Sequence, residues 1–172
     1  NALCENDPPE LLDMAQPQGG TYSGPGVTSG FFDPQLAGAG THTLTYSYSN
    51  AAGCTSDTSL VFDVLALPNT ILSGLPDFCV NDPAFALTGG FPIGGTYSGV
   101  LVSNGQLDPV GTGIFQIAYT YFDTITGCDS TAIDSIEVFD LPPVPTITQV
   151  NNELVAPSGS YQYRWDFNGT LI

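Results

Sequence analysis

An all-β fold is predicted by three features of this 172-residue chain. Gly and Pro, 20 and 14 residues, make up about a fifth of it, well above ordinary usage. They separate short runs rich in Val, Ile, Thr, Tyr and Phe, the residues that suit a pleated, half-buried surface. Residues 41–49 alternate strictly, with His42, Leu44, Tyr46 and Tyr48 on one face and Thr41, Thr43, Thr45, Ser47 and Ser49 on the other. That is the period of a strand with one face in a core. Hydrophobic residues at 42% against 10% charged place the chain outside the low-hydropathy, high-charge class of disordered proteins.

Internal repetition sets the organisation. Residues 4–38 laid over 79–113 without a gap give 17 identities in 35 positions. Cys4-Glu5-Asn6-Asp7-Pro8 matches Cys79-Val80-Asn81-Asp82-Pro83, and Gly19-Gly20-Thr21-Tyr22-Ser23-Gly24 matches Gly94-Gly95-Thr96-Tyr97-Ser98-Gly99. Asp33-Pro34 matches Asp108-Pro109. After a small shift Tyr46 and Tyr48 match Tyr119 and Tyr121, Gly53-Cys54 matches Gly127-Cys128, and each copy closes on a Leu-Pro, Leu67-Pro68 or Leu141-Pro142. Three segments follow: repeat 1 over 1–68, repeat 2 over 69–142, and a partial β module over 143–172.

Within a repeat the elements read in order. Short strands are expected at 10–14, 20–23 and 30–32, punctuated by Gly and Pro. The long strand 41–49 recurs with Phe115, Ile117, Tyr119 and Tyr121 inward. A turn at 50–53 or 123–127 leads to a return strand with Phe62 and Val64, or Ile136 and Val138, facing the core. Six or seven short strands of this spacing predict tandem antiparallel β-sandwiches of immunoglobulin type. Residues 146–150, 153–156 and 161–167 read as further strands that do not align with the repeat. Thirty residues cannot close a sandwich, so this piece either opens a different immunoglobulin-like domain or shares strands with a neighbour.

Four cysteines without a C-x-x-C pair, beside a single histidine, fit disulfides in an oxidising compartment better than a metal site. Of the three connectivities that four cysteines allow, only Cys4–Cys54 with Cys79–Cys128 gives both repeats the same internal bridge. Each such bridge closes a loop of about 50 residues and contributes about 4 kcal/mol in the chain-entropy model. Secretion or surface display follows. The chain opens with no basic signal-peptide region, so its start reads as a cut inside a larger, processed protein, and no apolar stretch is long enough to span a bilayer.

Charge removes function classes. Seventeen Asp and Glu stand against one Arg and no Lys, a net charge of −16. A basic nucleic-acid surface, Schiff-base chemistry, a P-loop and a Lys–Asn crosslink are all excluded. His42 is replaced by Phe115 in the second copy, so its position asks for a ring and not for a catalytic base. The Gly-Gly-Thr-Tyr-Ser-Gly run does not lead into a helix N-terminus and is read as packing, with glycines permitting close approach. Asp7, Asp33, Asp82 and Asp108 are the Ca²⁺ candidates, although each precedes a proline, where turn-forming hydrogen bonds are the commoner role. No catalytic or cofactor-binding residues are expected, and no enzyme.

The order Cys-x-Asn-Asp-Pro, Gly-Gly-Thr-Tyr-Ser-Gly-x-Gly-Val, Phe-Asp-Pro, Leu-x-Tyr-x-Tyr and Gly-Cys resembles repeats of very large surface proteins. These belong to Gram-negative bacteria with type IX secretion, gliding-motility adhesins included, which string immunoglobulin-like or PKD-like modules in series. The resemblance covers residues 1–142 and implies a secreted, cell-surface structural or adhesive role. It also implies O-glycosylation at Asp-Ser/Thr-small motifs, which makes Thr124, Ser130 and Ser135 candidates, with Asn168 in a formal N-glycosylation sequon. A rigid stalk or filament of neighbouring copies or further modules is the expected function. A carbohydrate- or receptor-binding module, acting on surface polysaccharide, is the alternative.

Overall fold

The computed structural model describes residues 2–144, 146, 148–150, 153–155, 166–167 and 170–171. Repeat 1 runs β1 (Ala2–Cys4), β2 (Glu10–Leu11), β3 (Thr21–Ser23), β4 (Val27–Thr28) and β5 (Phe31–Phe32). One helical turn, α1 (Pro34–Ala37), then leads to the hairpin β6 (Gly40–Ser49) and β7 (Thr55–Leu65). After β8 (Ile71–Leu72), repeat 2 runs β9 (Phe78–Cys79), β10 (Phe85–Ala86), β11 (Gly90–Phe91), β12 (Thr96–Ser98), β13 (Val102–Ser103) and β14 (Gln106–Leu107). It ends in the hairpin β15 (Gly113–Phe122) and β16 (Asp129–Phe139). The described chain is nearly all β.

Alternation along β6 decides the register of repeat 1. Leu44 and Tyr46 are buried and the neighbouring Thr43 is exposed, and across the hairpin His42 opposes Phe62 and Tyr46 opposes Thr58. In the turn Asn50 Oδ1 accepts the N–H groups of Ala52 and Cys54, both at 3.0 Å. Gly53 sits at φ +81°, the left-handed conformation that a residue with a Cβ resists. Repeat 2 has a turn one residue longer, in which Asp123 accepts from the Ile125 N–H and the Thr126 hydroxyl and Gly127 sits at φ +77°.

Each repeat has a four-stranded sheet of identical order, β1-β7-β6-β3 and β9-β16-β15-β12, and a small three-stranded sheet, β2-β5-β4 and β10-β14-β13. In repeat 1 the small sheet packs on the large one through Phe32, stacked on Phe62 at 4.6 Å between centroids. Leu12, Leu44 and Val64 complete that core. Repeat 2 fills the equivalent space differently: Leu101, Leu107 and Ile136 stand where repeat 1 has Gly26, Phe32 and Phe62. A Cβ on Gly26 would lie 2.8 Å from the Ala37 methyl and 3.1 Å from the Phe32 ring. The smaller Leu107 and Ile136 admit Leu101, so total volume is kept while shape changes, the kind of exchange that cores tolerate best. The loss of Pro25-Gly26 from the second copy is therefore a packing event.

Two departures from the expected architecture matter. First, the sheets are not purely antiparallel: β1 runs parallel to β7, with Ala2 opposite Asp63 and Cys4 opposite Leu65, and β9 runs parallel to β16, with Cys79 opposite Phe139. Parallel neighbours need a long crossover, which the body of each repeat supplies, and a two- or three-residue strand has no periodicity that could reveal its direction. Second, Asp33 and Asp108 do not play one role. Asp33 caps α1 by accepting from Gln35 and Leu36 N–H, with Pro34 in the first turn. After Pro109 the chain instead turns at Gly111, φ +101°.

Residues Asn1–Phe139 form one compact unit and Asp140–Ile172 a second. Both repeats fall within the first. The second unit contains two strand pairs, β17 (Thr148–Val150) with β18 (Glu153–Val155), and β19 (Asp166–Phe167) with β20 (Thr170–Leu171). The expected strand over 161–167 lies outside the described residues apart from Asp166 and Phe167.

Candidate functional site: the joint between repeats

The recurring Gly-Gly-Thr-Tyr-Ser-Gly segment builds a lock around two tyrosines. Tyr46 Oη accepts the Gly20 N–H at 2.7 Å and donates to the Pro17 carbonyl at 2.6 Å. Tyr119 repeats this with Gly95 N–H, 2.7 Å, and the Pro92 carbonyl. Tyr22 and Tyr97 accept from Ala15 and Gly90 N–H at 2.8 and 2.9 Å, and their rings lie 4.7 Å from those of Tyr46 and Tyr119. A Cβ on Gly20 would fall 2.5 Å from the Ser47 carbonyl oxygen, and one on Gly95 2.5 Å from that of Thr120. The second glycine of the motif is thus a close-approach position, and both phenol groups have their hydrogen bonds satisfied inside the fold. The segment cradles tyrosine, not phosphate.

The cysteines are where the sequence expectation fails. The structure bridges Cys4 to Cys128, with Cα atoms 5.6 Å apart, and leaves Cys54 and Cys79 free. The within-repeat bridges Cys4–Cys54 and Cys79–Cys128 are excluded by the parallel strands. Cys4 lies beside Leu65 at the far end of β7, whereas Cys54 immediately precedes that eleven-residue strand. At about 3.3 Å per residue the two are roughly 35 Å apart, and a bridge needs Cα atoms within about 7 Å. Cys79 and Cys128 are separated in the same way by β16. The bridge that forms joins the β1 end of repeat 1 to the turn end of repeat 2, and Asn6 Nδ2 adds a hydrogen bond to the Asp129 carbonyl at 3.2 Å.

Asp7 and Asp82 position this joint chemistry. Asp7 Oδ2 accepts the Cys4 N–H at 2.7 Å while Asp7 N–H donates to the Cys4 carbonyl at 2.9 Å. Asp82 holds Cys79 identically, at 2.7 and 3.1 Å. The Ca²⁺ candidates Asp7, Asp33 and Asp82 are thereby used as turn and cap acceptors. Among the described residues no group of three or more His, Cys, Asp or Glu is placed to hold a metal ion. His42 donates through Nε2 to the Gly38 carbonyl at 2.7 Å, and its ring packs near Phe32.

At the turn of repeat 2 the Ile125 N–H, 2.9 Å from Asp123 Oδ1, holds the Asp123 carboxyl below its usual value; the Thr126 hydroxyl, 3.0 Å from Oδ2, adds to this. Thr124 lies exposed on that turn, Ser135 is exposed in mid-β16, and Ser130 is half-buried. Asn168 lies outside the described residues. On the outer sheet face of repeat 2, Val100, Ile114 and Ile133 are exposed together, where repeat 1 has Pro25, Thr41 and Ser59. No described helix is long and apolar enough to cross a membrane.

Two contributors to the joint escaped the sequence reading. Asn6 was visible only as part of a repeated turn. Leu72, in the connection between repeats, is buried to 8% exposure in the core of repeat 2 because β8 pairs with β11. Its Ile-Leu pair after a Leu-Pro was the only available signal. Neither a protein-family model nor a curated protein sequence matches the chain.

Proposed function

We propose that this chain is a structural and adhesive repeat region of a secreted bacterial cell-surface protein, its repeats small immunoglobulin-like β-sandwiches in a rigid extracellular stalk or filament. The observation that carries this reading is the Cys4–Cys128 bridge, which spans a sequence separation of 124 residues and fastens one repeat to the next. A chain pulled from its two ends carries force from Cys4 across the bridge to Cys128 and out through β16, so the residues between the bridged cysteines lie outside the force path. A disulfide of this kind belongs to an oxidising, extracytoplasmic setting. The net charge of −16 keeps such modules soluble and mutually repelling. The resemblance to type IX-secreted surface repeats supports the same reading, in which further modules of the same chain or neighbouring copies are the partners.

Single-molecule stretching tests the reading. Oxidised protein keeps the residues between the bridged cysteines out of the force path. Adding a reductant releases them, lengthening the fully extended chain by roughly 40–45 nm at 3.3–3.6 Å per residue. Equal contour lengths in the two states would remove the load-bearing role.

A further inference from the structure

One turn occurs twice in this fold, in two conformations. Cys4-Glu5-Asn6-Asp7-Pro8 and Cys79-Val80-Asn81-Asp82-Pro83 share the cysteine, the aspartate and the pair of hydrogen bonds between them. The asparagines part company. Asn81 sits at φ +68°, in the left-handed region that Asn enters more readily than most residues, and its backbone N–H donates to the Pro109 carbonyl at 3.0 Å. Asn6 has no such φ. Its side chain Nδ2 donates to the carbonyl of Asp129 at 3.2 Å, one residue beyond the Cys128 to which Cys4 is bridged. Asn81 is tied back into its own repeat, and Asn6 reaches across to the other.

The helical turn α1 accounts for the difference. Pro34 is the counterpart of Pro109, and a helical backbone points its carbonyl along the turn, where it accepts the Gly38 N–H at 2.9 Å. In repeat 2 the Val110 N–H folds back onto the Asp108 carbonyl at 2.8 Å, no helix forms, and the Pro109 carbonyl is turned toward Asn81. Sequence sets this choice. Gln35, Leu36 and Ala37 are good helix formers, whereas repeat 2 has Val110, Gly111 and Thr112 in their place, with Gly111 at φ +101°. Asp33 caps the start of α1 by accepting from the Gln35 and Leu36 N–H groups, and His42 Nε2 fastens its end at the Gly38 carbonyl, 2.7 Å away. Phe115, the counterpart of His42, carries no donor for that bond.

We infer that Asn6 is the positioning residue of the Cys4–Cys128 bridge and that α1 frees it for this role, by taking the carbonyl that holds its counterpart back. The amide contact fixes residue 6 beside residue 129, which keeps the thiols of residues 4 and 128 within reach before the S–S bond closes. The inference concerns how the bridge is selected and goes beyond the stalk reading. Asp33 and His42 act at a distance, through α1 and then Asn6.

The test uses the full chain with Cys54→Ser and Cys79→Ser, which leaves this one pair of thiols. It is equilibrated with reduced and oxidised glutathione, quenched with acid, alkylated, and read by mass for the ratio of bridged to open protein. Closing the bridge oxidises two cysteine thiols and reduces one glutathione disulfide to two thiols. Asn6→Ala is expected to lower the ratio about five-fold, within the range that one net hydrogen bond supplies. Asn6→Gln keeps the amide and recovers part of that loss, while Asn81→Gly, which keeps the turn and removes only the amide, leaves the ratio unchanged. Asp33→Ala uncaps α1 and lowers the ratio in the same direction, but adds nothing when Asn6 is already replaced by Ala. An unchanged ratio for Asn6→Ala or for Asp33→Ala, equal losses from Asn6→Ala and Asn81→Gly, or additive losses from Asp33→Ala and Asn6→Ala would overturn the inference. The stalk reading is judged by contour length under force, so it stands or falls separately from these ratios.

Discussion

Replacing Cys4 with Ser should destabilise the protein strongly, while replacing Cys54 with Ser should leave it unchanged. The bridged residues are 124 apart, and the chain-entropy relation for a loop of that length gives about 5 kcal/mol at 25 °C. For a unit of 139 residues at about 3 °C per kcal/mol, that corresponds to a loss of roughly 15 °C in Tm. Cys54 is exposed and unbonded, so Cys54→Ser should stay within about 0.5 kcal/mol. Thermal unfolding followed by circular dichroism without reductant measures both variants, and reductant should bring the unsubstituted chain down to the Cys4→Ser value. Equal losses from Cys4→Ser and Cys54→Ser would refute the reasoning, because only a bridge within repeat 1 couples those two positions.

Three further outcomes follow from the packing and the turn. Gly95→Ala places a methyl carbon 2.5 Å from the Thr120 carbonyl and 2.6 Å from the Tyr119 ring. Displacing Tyr119 costs its two hydrogen bonds as well as the overpacking, about 3 kcal/mol in all by denaturant titration; a loss under 1 kcal/mol would show that the ring is not held there. Phe32→Ala removes a fully buried ring stacked on Phe62 and should cost about 3–5 kcal/mol, with hydrogen exchange rising in repeat 1 before repeat 2. Asp123 has a carboxyl held below its usual value of 3.8, so its stabilisation is complete above that pH and lost as pH falls through the lower folded value. The Tm advantage over Asp123→Asn should accordingly shrink on acidification below 3.8, and a constant difference would contradict the assignment.

Much of the fold was legible because its signals are local. The alternation of 41–49 placed Leu44 and Tyr46 in the core, and the repeat carried the same register to Ile117 and Tyr119. The two glycines of Gly-Gly-Thr-Tyr-Ser-Gly were readable as permissive positions, but not as the seat of the Tyr46 hydroxyl, since a contact between residues 20 and 46 has no signature along the chain. The Gly26-to-Leu101 exchange looked like a lost loop motif until Phe32 and Phe62 were seen beside it, matched by Leu107 and Ile136 in the other repeat.

By itself the sequence determined an all-β chain, its two repeats, the inward faces of the hairpins and an acidic surface without basic patches, because composition and a two-residue period act over short distances. Only the tertiary structure decided which cysteines meet. That choice depends on the direction of β1, a three-residue strand whose partner lies some sixty residues away. Symmetry between repeats suggested a bridge inside each, and the length of β7 placed those two sulfurs at opposite ends of the sheet.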